Sequence, residues 1–412
     1  MRYLPQLLMC FGFTLCACAE PPGLGTLFAN GPSPRTGPKD AAYGPLDEFI
    51  AQLTAKWAIP GCAVAVAKAG KIVHWQGFGY ADQDMKVPVE RDTLFRIASV
   101  SKPITAVAVL RMIESGKFTL DTPLVELLPD EVRDVPDPNI ALVTIRQLLQ
   151  HSAGWDDGDH DEVALRNDVR RLARLVGHGG SVSPADIVRQ RLMRPLDFMP
   201  GSDHAYSNFG YVVLGRIIEK VSGKPYPDFV RESVLAELGR DCTAVIAAPW
   251  LSERHPGETH YYDYSGAQPT EAALDPGRAT AWPDGGIATT QLDAALGWAT
   301  TAPCLALFAD RTFAPLHGRI GLLTEKAVQN IIARPAPPLW VDAPAYYGLG
   351  WRIRPLPEGA YIWHGGSMPG TSALLVHCPA DISIAIVMNS RPCDWDKFNK
   401  ELQENIQRLT GN

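Results

Sequence analysis

Just after Pro45, the apolar residues Leu46, Phe49, Ile50, Leu53 and Trp57 recur three and four apart, which predicts a helix. Beyond Pro60-Gly61 the period changes. Cys62–Lys68 and Lys71 to about Phe78 read as two strands joined by a turn at Ala69-Gly70. The C-terminal part has the same grouping: Tyr361–Trp363, Ala373–His377 and Ile382–Met388 read as strands. A closing helix then carries Trp395, Phe398, Leu402, Ile406 and Leu409 on one face.

Between these ends the pattern is mostly helical: Val100–Ser115, Ile145–His151, Val163–Val176, Pro184–Met193, Phe209–Val221 and Thr324–Ala333. Strands at both ends around a helical middle predict an α+β fold. An antiparallel sheet lobe with flanking helices would be built by both termini (about 45–95 and 340–412). A mostly helical lobe (about 96–339) would be inserted into it, making one catalytic unit of 45–412. A groove between two such lobes is a natural ligand site.

The N-terminus follows a different logic. Met1-Arg2 supplies a positive charge, and Leu4–Cys18 is apolar apart from Gln6 and Thr14, which reads as a secretion signal over 1–19. Leu15-Cys16-Ala17-Cys18 resembles a bacterial lipobox that would leave Cys18 acylated and the protein membrane-anchored. Ala17-Cys18-Ala19 also satisfies the A-x-A cleavage rule, which would release it to the periplasm or medium. The Pro/Gly-rich stretch 20–44 reads as a tether.

Composition narrows the function classes. The 412 residues are 46% hydrophobic and 20% charged, which excludes a disordered chain, and no Lys/Arg run is long enough to follow a phosphate backbone. The net charge is −7, so a small-molecule or peptide substrate is expected and nucleic acid is not. Nothing in the sequence fixes an oligomeric state. Export would place Cys62, Cys242, Cys304, Cys378 and Cys393 in an oxidising compartment, where Cys242–Cys304 and Cys378–Cys393 are open pairings and Cys62 reads as a buried thiol. No C-x-x-C or zinc-spaced histidine pair occurs, nor any dinucleotide or P-loop fingerprint, so neither metal nor cofactor is expected.

Three local patterns carry chemistry. In Ala98-Ser99-Val100-Ser101-Lys102-Pro103, a helix starting near Ser99 puts Ser99 and Lys102 on one face, where a desolvated amine can take the hydroxyl proton, although taken alone a capping serine and a solvated lysine fit the spacing better. In Tyr206-Ser207-Asn208, just before a helix, phenol and amide can both face a cleft. Tyr206 can then act as a base, although an aromatic plug and an N-capping Asn208 are equally open. In Trp363-His364-Gly365-Gly366-Ser367, glycines at a strand end allow close approach and an edge offers N–H groups to an oxyanion.

In this order the three motifs resemble the serine β-lactamase and penicillin-recognising family, and most closely its class C-like branch of esterases and D-amino-acid peptidases. Thr144–Gly154, Gly285–Thr290, Tyr347–Trp351 and Pro369–Ser372 match as well. The resemblance implies the β-lactamase/transpeptidase-like fold, with Ser99 as acylated nucleophile and Lys102 and Tyr206 sharing proton transfer. It further implies that Asn208 orients the acyl side, and that an oxyanion hole is made by the N–H groups of Ser99 and Ser367 beside His364-Gly365-Gly366. Where the family often has K-T-G, this chain has His364, mostly neutral at pH 7, which favours ester or amide hydrolysis. β-Lactamase or D-Ala-D-Ala carboxypeptidase activity, or a non-hydrolytic penicillin-binding sensor, are the alternatives.

Overall fold

The computed structural model describes residues 33–156, 161–177, 181–239 and 242–411. The signal reading and Cys18 lie outside them. In chain order the first elements are β1 (Arg35–Thr36), α1 (Gly44–Lys56), β2 (Gly61–Lys68), β3 (Lys71–Asp82), β4 (Val87–Pro88) and β5 (Phe95–Arg96). The helical middle follows as α2 (Ser101–Glu114), α3 (Leu124–Leu127), α4 (Ile145–Leu149), α5 (Asp161–Val176), α6 (Pro184–Leu192), α7 (Asn208–Ser222) and α8 (Tyr226–Ser233). Then come β6 (Ala244–Ile246), β7 (Thr270–Glu271), β8 (Ala279–Thr280), α9 (Asp293–Leu296), β9 (Trp298–Thr300), α10 (Ala302–Phe313) and α11 (Glu325–Ile332). The chain closes with β10 (Tyr346–Tyr347), β11 (Arg352–Leu356), β12 (Gly359–Met368), β13 (Thr371–Cys378), β14 (Ile382–Met388) and α12 (Trp395–Leu409).

Side-chain alternation in β2 decides the layering. Cys62, Val64 and Val66 face one side and pack with Leu46, Ile50 and Leu53 of α1 and Phe398, Leu402 and Ile406 of α12. Ala63, Ala65 and Ala67 face the other, where small side chains let Leu305, Phe308 and Ala309 of α10 come close. The sheet order is β1-β3-β2-β14-β13-β12-β11-β10, antiparallel throughout, with β4 paired to β3. Both termini therefore meet at β2–β14, where Ala65 opposes Ala385.

Two sequence expectations change. Arg35 and Thr36 pair with Phe78 and Gly77, and Asp40 caps a short turn at Ala41–Tyr43, so the tether expected up to 44 is docked from about Arg35 onward. Helix α10, inside the stretch expected to form the helical lobe, packs instead on β2, β13 and β14. Its sequence has no polar stripe because it is covered nearly all round, so the periodicity was silent there.

Cys242 and Cys304 form a disulfide that ties the loop before β6 to the first turn of α10. Cys378 is a buried thiol, so the Cys378–Cys393 pairing is not formed. Cys62 is buried in β2 as expected, and burial raises its pKa. Closing a loop across 62 residues restricts the unfolded chain, so Cys242→Ser/Cys304→Ser will lower unfolding free energy by roughly 2–4 kcal/mol in denaturant titrations.

Candidate active site

Ser99 sits in a single 3-10 turn, Ala98–Val100, that runs directly into α2. The preceding Ala98 has φ 47°, a left-handed conformation costly for an alanine. That strain is held from both sides. Phe95 and Arg96 pair with Thr300 and Ala299, Ile97 N–H donates to the Trp298 carbonyl at 3.0 Å, and Trp298 N–H donates to Ser101 Oγ at 3.2 Å. Ser99 is half-buried, whereas Lys102 one turn on is fully buried. Pro103 is accommodated because it lies in the first turn of α2.

Lys102 Nζ donates to Ser99 Oγ at 3.2 Å, to Asn208 Oδ1 at 2.5 Å and to the Ala295 carbonyl at 3.1 Å. It also lies 4.7 Å from the Tyr206 ring centroid and 5.6 Å from that of Tyr211. Three distant stretches thus converge on one amine. Ser207 is the N-cap of α7, its hydroxyl accepting from Gly210 N–H at 3.3 Å, so Asn208 is the first helical residue and its amide is left to meet Lys102. The Ala295 carbonyl is held in place through α9, where Asp293 accepts from Arg216 of α7 at 2.7 Å.

β12 closes the site from the other side. It pairs with β11 only as far as Trp363, opposite Arg352, but with β13 to Met368, so among the described residues no strand pairs with 364–368 on that side. The two glycines differ in what they permit. A Cβ on Gly366 would stand 2.2 Å from the Ile97 carbonyl and 3.2 Å from Val100 Cγ2, whereas a Cβ on Gly365 meets nothing within 4 Å. Gly366 lets the strand lie directly on the Ser99 turn, and Gly365 opens to space. Arg391, just beyond β14, brings Nη1 to 3.5 Å of Ser367 Oγ.

His151, near the end of the matching segment Thr144–Gly154, packs against Tyr206 and Tyr347 beside the site. Its Nδ1 accepts the Ser207 N–H at 3.0 Å, and its ring packs tilted against Tyr206 at 4.2 Å and edge-on to Tyr347 at 4.5 Å, centroid to centroid. Tyr347 Oη in turn bonds His364 Nε2 at 2.9 Å, and His364 is buried. His204, packed on Trp340 at 4.4 Å, extends this group of rings and was not singled out from the sequence. The Tyr347-Gly348 motif did flag one of these; nothing flagged His204 or Trp340.

Burial holds His151 and His364 well below the ordinary imidazole range, with Lys102 and Arg352 adding to the effect at both, and takes His204 down to about 4. All three are neutral in the folded protein at pH 7. In the unfolded chain they titrate near 6.5, so below that pH the unfolded state binds more protons. Their contribution is complete above about pH 6.5 and is lost as pH falls. For His204 this amounts to about 3 kcal/mol by pH 4. Melting temperature will therefore fall steadily from pH 7 to 4, and His204→Gln will flatten that slope.

A serine, a buried lysine, a tyrosine and an asparagine are thus gathered beside the end of β12 on an α+β scaffold. The β-lactamase family model matches residues 46–404, and the chain belongs to that family. Esterase EstB of Burkholderia gladioli is 34% identical over 213 residues, half of this chain and 52% of EstB. A penicillin-binding protein of Bacillus subtilis is 27% identical over 331 residues, 76% of this chain and 64% of the relative. The chain thus spans about half to two thirds of the length of these relatives. The structure of the octameric penicillin-binding protein homologue from Pyrococcus abyssi superposes with TM-score 0.67 at 22% identity, covering 90% of this chain and 77% of that one, a likeness of fold.

Proposed function

We propose that this chain is an exported serine hydrolase of the class C-like branch that cleaves esters or amides through an acyl-enzyme on Ser99. The observation that carries the reading is the 3.2 Å contact between Nζ of the fully buried Lys102 and Oγ of the half-buried Ser99. Ser99 Oγ attacks the substrate carbonyl as its proton passes into the Lys102–Tyr206 pair, which shares the base work. The tetrahedral oxyanion is met by the N–H groups of Ser99 and Ser367. Its collapse expels the alcohol or amine, which takes the proton back, and water then attacks the ester on Ser99 by the same route. Asn208, bonded to Lys102, holds the amine and orients the acyl side.

Ester and amide substrates are favoured by His364, a neutral buried group where a lysine would hold a permanent charge for a substrate carboxylate. One feature favours a second reading. Arg391, with Nη1 3.5 Å from Ser367 Oγ, puts a cation beside the proposed oxyanion donor, and this would suit carboxylate-bearing β-lactams or D-peptides. A panel of p-nitrophenyl esters, D-amino-acid amides, D-Ala-D-Ala peptides and a chromogenic cephalosporin separates these. Ester or amide turnover is expected. Rapid cephalosporin or D-Ala-D-Ala cleavage without ester turnover establishes the second reading, and stable acylation without turnover establishes a sensor.

Export is supported by the Cys242–Cys304 disulfide, a bond that persists in oxidising compartments. Lipid anchoring through Cys18 predicts protein in the membrane fraction that becomes soluble in Cys18→Ala.

A further inference from the structure

His377 lies near the end of β13, four residues along the strand from Ala373, which pairs with Gly366. At about 3.3 Å per residue this sets it roughly 13 Å along the sheet from the candidate cleft. Its ring faces α10, stacked on Phe313 at 5.0 Å, and meets His317 from the turn that follows α10. The two Nε2 atoms are 3.1 Å apart, and Asp381, in the β13–β14 turn, brings Oδ1 to 3.6 Å of His317 Nε2. All three ligand atoms lie within 4.8 Å of one another.

Two imidazole nitrogens bound to one tetrahedral zinc at about 2.0–2.1 Å stand roughly 3.3 Å apart, close to the spacing seen here. The surrounding contacts orient each group as a ligand. His377 Nδ1 bonds Ser383 Oγ at 2.9 Å, which leaves Nε2 to face the cluster. Arg319 Nη2 holds Asp381 Oδ1 at 2.5 Å, and the same guanidinium lies 3.4 Å from Asp310, which also accepts the Gly70 N–H at 2.8 Å. Two carboxylates against one guanidinium leave the cluster with a net negative charge when both imidazoles are neutral. His377 is about 1% exposed, but the His317 and Asp381 side chains are 23% and 20% exposed, so an ion and a completing water have a way in.

We propose that His317, His377 and Asp381 form a binding site for a divalent first-row transition metal, zinc being the natural occupant of two imidazoles and a carboxylate. The ion would clamp the end of α10 to the β13–β14 hairpin, a structural function separate from the cleft. The ligands come from positions 60 and 64 residues after His317, which is why no sequence motif announced them.

The test uses the untagged full chain, stripped with chelator and then freed of it, titrated with zinc chloride by calorimetry and with Co(II) by visible absorption. One equivalent is expected to bind, with tetrahedral Co(II) bands and a higher melting temperature. His317→Gln and Asp381→Asn, on partly exposed side chains, are each expected to weaken zinc at least tenfold and to abolish the thermal shift. Absence of stoichiometric zinc binding would overturn the proposal, as would equal binding by wild type and both variants, which would place the ion at other histidines. Because His317 lies outside the cleft, hydrolysis by metal-free His317→Gln should match that of wild type.

Discussion

Ser99→Ala will abolish covalent labelling by fluorescent phosphonate or penicillin probes and lower kcat/KM by roughly 10⁴-fold or more, with little change in melting temperature. Loss of the hydroxyl removes the only protein atom in the proposed mechanism that bonds to the acyl group. Ser99 is half-buried in a turn fixed by backbone contacts through Ile97 and Trp298, so the fold does not depend on its side chain. Lys102→Met should behave differently. It keeps the length and apolar stem of the side chain but leaves Asn208 Oδ1 and the Ala295 carbonyl without the ammonium, so both rate and stability fall. The rate loss is expected at roughly 10²–10⁴-fold, the size of a missing acid-base group. Wild-type rates in Ser99→Ala would place the chemistry elsewhere.

Gly366→Ala will lower kcat by roughly 10²–10³-fold, the cost of losing one oxyanion-hole donor, while Gly365→Ala will change it far less. The contrast comes from one strand in one register. The added methyl at 366 must enter the space of the Ile97 carbonyl, which belongs to the backbone of the serine turn and cannot rotate away. Strand and nucleophile are forced apart, and the donor at Ser367 moves with the strand. The methyl at 365 projects into open space on the opposite face. Steady-state kinetics on the two variants, with melting curves as a check on folding, decides the point. Equal effects at 365 and 366 would mean that β12 does not carry the oxyanion site.

Much of the scaffold could be read in advance. The β2–β3 hairpin, the three C-terminal strands and the closing helix are amphipathic elements with one buried face, and their period shows in the order of residues. Helix α10 could not be read this way, because being covered on nearly all sides erases the period. The docked segment from Arg35 was hidden for the opposite reason: a two-residue edge strand is too short to have a pattern, and its register comes from β3.

The candidate site divides along a similar line. By itself the sequence determined which side chains were available and their local spacing: a lysine three residues after a serine, a tyrosine two before an asparagine, and a histidine ahead of two glycines. Those relations follow from helix and strand geometry and need no long-range information. Only the tertiary structure decided that Lys102, Asn208 and the Ala295 carbonyl share one amine, that Gly366 rather than Gly365 is demanded by packing, and that His364 is buried and bonded to Tyr347. It also decided that His317, His377 and Asp381 meet at all. The physical reason is the same in each case. Distances between groups far apart in the chain are set by how layers pack, and one residue type is compatible with many such packings until the fold selects one.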